Sequence, residues 1–419
     1  MTVFDSRVQP PGLAAFRRAF PDLEVRLGEP DPAELARFSD LILSPGIDPA
    51  TPWLAAAQAG ATRILGDIEL FVQAAQAPIA AITGSNAKST VTCLLGEMAA
   101  AAGRRVAVGG NLGPAALDLL DEAVELYVLE LSSFQLELVG SLGAEVATVL
   151  NMSADHLDRY PSMIEYHAAK QRIYRRARHL VYNRDDPLTE PLAGTQQKRV
   201  SFGSGPPDLG DFGLREADGE VWLMRGNEKL LAESEVRLKG RHNLCNLLAG
   251  LALGSCCGLA LEPMLAVARR FAGLPHRAQV LAERAGVLWV DDSKATNVGA
   301  TGAALAGFGR GKNILLIAGG QTKGQSFAPL RAAVERHVKR LILMGEGAAQ
   351  LEAELAGAAE AVRVEDLAAA VRVAARGAAR GDCVLLSPAC ASLDMFASFA
   401  ERGERFAREV EVLALGDRA

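Results

Sequence analysis

The stretch Ile79-Ala-Ala-Ile-Thr-Gly-Ser-Asn-Ala-Lys-Ser-Thr-Val-Thr92 limits what this chain can fold into more than any other. A short apolar run breaks at Gly84, and a helix-forming run begins after Lys88. The pattern predicts a strand, a tight loop and a helix N-terminus, read as a phosphate-binding loop. Such a junction gathers free backbone N–H groups, the positive end of a helix dipole, an ammonium and the Ser89 hydroxyl in one small volume. That chemistry suits nucleotide phosphates and Mg²⁺, with Gly84, Ser85, Asn86, Ala87, Lys88, Ser89 and Thr90 around them. The motif is a shortened form, G-x-x-x-K-S, with Ala87 where the usual pattern has Gly. The alternative is an ordinary strand-to-helix turn with a solvated lysine.

At 419 residues the chain exceeds one hydrophobic core, so two or three domains are expected. A 49% hydrophobic and 22% charged composition with net charge −6 gives no general attraction to nucleic acid or anionic lipid. The six cysteines include no C-x-x-C pair and lie in apolar runs, which predicts free buried thiols in a reducing compartment and no cysteine-bound metal. No apolar span is long enough for a bilayer, and the first residues do not form a signal peptide, so a cytoplasmic location is expected. No apolar heptad or stripe suggests self-association, and a monomer is expected.

Residues 1–66 alternate short apolar runs with helix-like segments, Pro32 to Phe38 and Thr51 to Gln58, as part of a parallel α/β unit. The loops Asp5-Ser-Arg7 and Ser44-Pro-Gly46 follow strand ends, where open parallel sheets bind ligands. Further on, Val106-Ala-Val-Gly-Gly-Asn-Leu-Gly113 is a strand entering a Gly-rich turn. Glu130 ends the apolar strand beginning at Leu126, and a buried carboxylate there requires a cation, either Mg²⁺ or an arginine. The strand from Ala147 to Met152 delivers a loop containing His156, followed by an amphipathic helix, Ser162 to Arg178. His156 is read either as structural or as a ligand. Lys170, on sequence alone, reads as a surface lysine.

Val200 to Leu238 reads as a small antiparallel insertion. Asn243 and Asn246 open an apolar helix, where they either cap it or read a purine edge. A Gly/Pro hinge at Ala272 to Arg277 leads to a second parallel α/β unit. Its strand ends carry three polar loops, Asp291 to Asn297, Gly319 to Gly324 and Ser387 to Asp394, which together make a site.

Seven motifs in one order carry a family likeness over nearly the whole chain. They are Thr83-Gly-Ser-Asn-Ala-Lys-Ser-Thr90, Gly109-Gly-Asn-Leu-Gly113, Leu129-Glu-Leu-Ser-Ser-Phe-Gln135, Asp155-His-Leu-Asp-Arg-Tyr160, Leu274-Pro-His-Arg277, Asp291-Asp-Ser-Lys-Ala-Thr-Asn297 and Leu386-Ser-Pro-Ala-Cys-Ala-Ser-Leu-Asp394. The chain resembles the Mur ligases, and among them the branch that adds D-glutamate. That resemblance implies an α/β fold of three domains: an incomplete Rossmann-like N-terminal domain at 1–66 for the UDP-sugar, a central P-loop ATPase-like domain at 67–271, and a C-terminal Rossmann-like domain at 272–419 for the amino acid. It also implies ATP-dependent joining of D-glutamate to UDP-N-acetylmuramoyl-L-alanine through an acyl phosphate and a tetrahedral intermediate, as a step in peptidoglycan synthesis.

The same resemblance assigns roles to residues. Lys88 and the loop amides hold the β- and γ-phosphates of ATP, and Asn243, Asn246, Arg277 and Asp292 contact the nucleotide. Ser89 and Glu130 take one Mg²⁺, with Mn²⁺ an open alternative. His156 and a carbamylated Lys170 take a second ion. Lys294, Thr296, Lys323, Ser392 and Phe399 match the D-glutamate pocket. Asp5, Ser6, Arg7, Gly46 and Asn111 match positions that touch the UDP-sugar.

Three departures stand out: the family's opening strand and Gly-rich turn are not matched, Ala87 replaces a glycine, and Gln321 stands where relatives often carry Asp. The first leaves a competing expectation, a nucleotide-binding protein without ligase activity. A folylpolyglutamate-type ligase is the rival within the fold.

Overall fold

The computed structural model describes residues 1–156, 159–192, 197–238, 240–322 and 324–416. Its centre is the strand Ile79–Thr83, buried at every position. It is paired in parallel with Leu126–Glu130 on one side and Val146–Val149 on the other. A strand with sheet on both edges and packed layers on both faces has no polar side, which is why its sequence is a continuous apolar run.

The sheet around it has nine strands. Val106–Gly110 forms one edge, and His179–Asn183 and Lys198–Phe202 continue the parallel order beyond Val146–Val149. The antiparallel hairpins predicted within 200–238 are present as Phe212–Ala217, Glu220–Arg225 and Glu228–Ala232. They extend this sheet rather than forming a separate piece. Leu94, Leu95, Met98, Leu247, Leu248 and Leu251 pack one face, and Ile68, Phe71, Tyr127, Leu129 and Tyr174 the other. The helix Arg241–Cys256 is apolar nearly all round because it is sandwiched between that sheet and its neighbours.

A six-stranded sheet follows, in the order Gln279–Arg284, Val287–Asp291, Cys383–Leu386, Ile314–Gly319, Val338–Met344, Glu360–Arg363. Only the first strand is antiparallel to its neighbour. The two outer strands, Gln279–Arg284 and Glu360–Arg363, escape sequence reading because half-exposed edge strands lack a continuous apolar run. Residues 1–66 form two separate parallel pairs, Thr2–Asp5 with Glu24–Leu27 and Asp40–Leu43 with Arg63–Gly66. The helix predicted over 32–38 closes early as Pro32–Leu35, and Leu13–Ala19 is a helix that buries no residue and so carries no amphipathic signal.

The helix predicted to run to Arg178 ends as an α-helix at Gln171, and a 3₁₀ turn Arg172–Tyr174 follows. The last turn tightens because the Tyr174 hydroxyl is drawn inward, accepting from Val149 N–H and donating to the Val181 carbonyl. All six cysteines are free thiols.

The edge strand Val106–Gly110 closes against the end of Leu126–Glu130 at Gly110, whose φ of 100° lies in the left-handed region. A Cβ there would lie 2.5 Å from the Glu130 carbonyl oxygen. We therefore expect Gly110→Ala to lower unfolding free energy by about 2–4 kcal/mol, combining the left-handed penalty with overpacking. Chemical denaturation measures this, and an unchanged midpoint would contradict the packing described.

Candidate active site

The chemistry sits where the central strands end. Gly84 to Ala87 form the loop between Ile79–Thr83 and the helix Lys88–Ala101. Ala87 caps that helix with φ 64°, a left-handed conformation in which alanine costs roughly 1 kcal/mol relative to glycine. The loop is held from the next strand. Asn151 accepts from Asn86 N–H at 2.7 Å and donates to the Asn86 carbonyl at 3.1 Å, and its own carbonyl accepts from Ser85 N–H. The Ser85 hydroxyl reaches the Ser153 carbonyl and the Tyr166 hydroxyl. Lys88 Nζ lies over the loop, donating to the Gly84 and Ser85 carbonyls at 2.8 and 3.1 Å.

Glu130 is buried at the adjacent strand end, as its position in the apolar run predicts. Its Oε1 accepts from Asn111 Nδ2 at 2.7 Å, and its Oε2 is buried with no hydrogen-bond partner among the described residues. An orphaned carboxylate oxygen beside a phosphate loop fits a divalent cation. Among the described residues no three His, Cys, Asp or Glu side chains converge, so a cation here would also need a hydroxyl, a modified amine or substrate oxygens.

Lys170 is 1% exposed, contrary to the surface lysine its helix position suggests. The helix Met163–Gln171 turns that residue inward, and its Nζ donates to the Gly84 carbonyl at 2.9 Å and Thr83 Oγ1 at 3.3 Å. Burial first, and repulsion from Lys88 second, hold its amine well below the usual lysine range. Burial likewise lowers Lys88, with Glu130 and Asp155 opposing. His156, in a left-handed conformation at φ 55°, lays its ring against Phe134 at 5.0 Å between centroids.

From the other side of the cleft, Arg277 donates to Ser89 Oγ at 2.7 Å. Asp292 accepts from the Ser387 hydroxyl and from Ala278 N–H. Burial pushes its carboxyl up to about 7 against those two hydrogen bonds. Lys294 Nζ stands 4.0 Å from the Phe399 ring centre.

One cavity of about 480 Å³ is lined by Ser85 to Ser89, Asn111, Glu130, His156, Lys170, Arg277, Lys294, Thr296 and Phe399. A second, of about 380 Å³, is lined by Asn86, Ala87, Thr90, Asn151, Asn183, Asn243, Asn246, Arg277 and Asp292 among others. Asn246 donates to the Asn243 side chain there, so the pair sits in a pocket wall instead of capping the helix start. Asp5, Ser6, Arg7 and Gly46 share a third cavity of about 710 Å³ between the two small sheets, away from Asn111. Arg7 folds back onto Asp5 and holds its carboxyl down at about 2. Ser392 is buried but lines none of these three cavities. Lys323 lies outside the described residues.

Sequence reading assigned no role to Asn151, Tyr166, Asn183 or Arg402. Asn151 had a signal, a polar residue ending an apolar strand like Glu130. Arg402 had none: fully buried from the last helix, Phe399–Gly416, it donates to Ser293 and the Cys390 carbonyl and so ties two strand-end loops together.

A strand-to-helix loop suited to phosphate, an orphaned carboxylate and a buried lysine facing a second α/β unit across a cleft suit a nucleotide-dependent ligase. The chain belongs to the Mur ligase family. Family models match residues 1–66 (Mur ligase MurD-like, N-terminal domain), 82–254 (Mur ligase middle domain) and 276–390 (Mur ligase, glutamate ligase domain). A UDP-N-acetylmuramoylalanine–D-glutamate ligase of Pseudomonas putida is 54% identical over 415 residues, covering 98% of this chain and 92% of the relative. One from Marinobacter nauticus is 50% identical over 414 residues, 99% and 93% covered. Among solved structures, MurF from Acinetobacter baumannii matches with TM-score 0.64 at 18% identity, covering 90% of this chain and 92% of that one. A pseudomurein peptide ligase type C from Methanothermus fervidus matches with TM-score 0.60 at 16% identity, covering 99% and 94%. At such identities the structures share the fold.

Two outcomes follow from this geometry. Ala87→Gly should raise stability by up to about 1 kcal/mol, relieving the left-handed alanine, as read by denaturant midpoint. Because the Asp292 carboxyl sits near 7 when folded and near about 4 when unfolded, the folded chain holds the extra proton between those values. Its stabilising contribution is full below about pH 4 and is lost as pH rises through about 7. The melting temperature of the ligand-free protein minus that of Asp292→Asn should therefore fall across that interval; a flat difference would contradict the assignment.

Proposed function

We infer that this chain joins D-glutamate to UDP-N-acetylmuramoyl-L-alanine with cleavage of ATP to ADP and phosphate, a step of peptidoglycan synthesis. What supports this most is the cavity shared by Lys88, Glu130, His156 and Lys170 with Lys294, Thr296 and Phe399, together with relatives named for that ligation over 98% of the chain. A binding protein without ligation is not favoured by those relatives. Three domains, at 1–66, 67–271 and 272–419, divide the work between sugar nucleotide, ATP and amino acid.

The carboxylate of UDP-N-acetylmuramoyl-L-alanine attacks the γ-phosphorus of ATP, ADP leaves, and an acyl phosphate results. The D-glutamate amine attacks that carbonyl, and phosphate departs from the tetrahedral intermediate. Lys88 and the loop N–H groups that Asn151 does not engage, those of residues 87–90, neutralise the β- and γ-phosphates, with Arg277 closing from the far side. Asn243, Asn246 and Asp292 orient the nucleoside. Lys294, with Lys323, balances the two carboxylates of D-glutamate, while Thr296, Ser392 and Phe399 shape that pocket. Asp5, Ser6, Arg7, Gly46 and Asn111 serve the UDP-sugar.

Ser89 and Glu130 would hold one Mg²⁺, and His156 and Lys170 a second, with Mn²⁺ as a substitute; bound there, the ions supply charge neutralisation for the phosphates and the nucleophile. Lys170 serves as a carbamate. Burial lowers its basicity and so favours the neutral amine, the form that adds CO₂, and the product is an anionic oxygen ligand. The protein acts on small molecules, and a monomer is the state we assign it. The net charge of −6 gives nucleic acid no electrostatic footing. Among the described residues no helix is long and apolar enough to cross a membrane. The free cysteines and the ATP requirement support work in the cytoplasm.

Coupled assay of ADP and phosphate tests the reading: release should require both UDP-N-acetylmuramoyl-L-alanine and D-glutamate, and Lys88→Ala should lower turnover by roughly 100-fold or more. Phosphate release indifferent to D-glutamate would overturn it. Enzyme stripped of CO₂ should lose activity and regain it with bicarbonate, whereas a lysine acting as a plain amine would be indifferent.

A further inference from the structure

The helix Val298–Phe308 belongs to the C-terminal sheet, yet its first turn presses on the phosphate loop of the middle domain. Asn297 is the hinge of this contact. Its Oδ1 accepts from Ala300 N–H at 2.9 Å and so caps the helix. Its Nδ2 donates outward, to Asn86 Oδ1 at 3.3 Å and to Asp155 Oδ2 at 3.2 Å. Asn86 is a loop residue that lines both central cavities, and Asp155 precedes His156. The residue is 5% exposed, so these bonds are made away from bulk water.

A second observation marks the same contact. Gly299, two residues on, lies against Ser153: a Cβ on it would lie 2.4 Å from Ser153 Oγ and 2.7 Å from Ser153 Cβ. The helix start therefore leaves no room for a side chain against Ser153. Ser153 itself accepts from Asn86 Nδ2, so helix, loop and the segment before His156 form one connected set.

We infer that Asn297 is a positioning residue for the ligation, coupling placement of the amino-acid loop that carries Lys294 and Thr296 to the geometry of the phosphate loop. One amide does both jobs because its two ends are chemically different: the oxygen fixes the C-terminal helix and the nitrogen fixes the middle domain. No other side chain of that size supplies a cap acceptor and a two-proton donor at once. The inference rests on the ligase reading for its consequence in turnover, but the contact itself does not.

Asn297→Asp separates the two jobs. Aspartate caps a helix as well as asparagine does, but it cannot donate, and it brings a carboxylate against Asp155. Its melting temperature should stay within roughly 3 °C of wild type. Small-angle scattering of the ligand-free protein should show an enlarged radius of gyration, and turnover with all three substrates should fall by roughly 10- to 100-fold. Adding Asp155→Asn to Asn297→Asp restores a donor–acceptor pair with the ends exchanged and should recover much of the compaction. Gly299→Ala, which leaves the cap intact, should open the cleft in the same way.

Wild-type scattering and turnover in Asn297→Asp, with loss of stability confined to Asn297→Ala, would reduce the residue to a cap and overturn the inference. So would a compact Asn297→Asp protein that is inactive, because the charge would then act on the chemistry and not on position. If wild type ligates nothing while Asn297→Asp and Gly299→Ala still expand, the functional reading fails and the positioning role stands.

Discussion

The loop from Gly84 to Ala87 has to hold one backbone shape, left-handed at Ala87, so that the helix beginning at Lys88 starts where it does, and a short loop between a strand and a helix does not do so unaided. Its shape is imposed by Asn151, whose side chain brackets Asn86 on both its N–H and its carbonyl, and by Ser85 reaching Ser153 and Tyr166. These partners come from the strand beside it and from the helix that carries Lys170. The sheet order that places Val146–Val149 next to Ile79–Thr83 is therefore what holds the turn in the shape proposed for phosphate.

Charge is the second constraint. Lys170 is buried and Lys88 and Arg277 are half-buried near Glu130, Asp155 and Asp292, and desolvation weakens the basicity of all three while raising the Asp292 carboxyl. The amines lean on backbone carbonyls, and Glu130 Oε2 has no hydrogen-bond partner among the described residues. These are unfavourable arrangements for folding, since desolvated charge is stabilised only in part by such neighbours. They are favourable for a site that receives a polyanion and cations, because the groups are already stripped of water and aimed. The reading of Lys170 as a carbamate belongs to the same logic, replacing a costly buried cation by an anion that a metal can use.

Much of this is legible in the order of residues. The run ending at Thr83, the carboxylate ending at Glu130 and the three polar loops after Asp291, Gly319 and Leu386 follow from one rule: in a parallel sheet buried on both faces, polar residues collect at the strands' C-terminal ends. The same rule applies to Asn151, which the sequence reading passed over. The half-exposed edge strands Gln279–Arg284 and Glu360–Arg363 were not legible, and neither was Arg402. Edge strands do not show the two-faced burial that writes a pattern into sequence. A lone arginine in an amphipathic helix looks solvated until the helix is docked.

Sequence by itself determined the parallel α/β character, the phosphate loop and the acidic strand end, because each depends on neighbours within about ten residues. Only tertiary structure decided that Lys170 is buried, that Arg277 reaches Ser89 across the cleft, and that Asn297 spans from its own helix to Asn86 and Asp155. Those facts depend on how separate sheets dock. Docking is fixed by shape and by polar groups far apart in the chain, and such contacts leave no periodic trace in the order of residues.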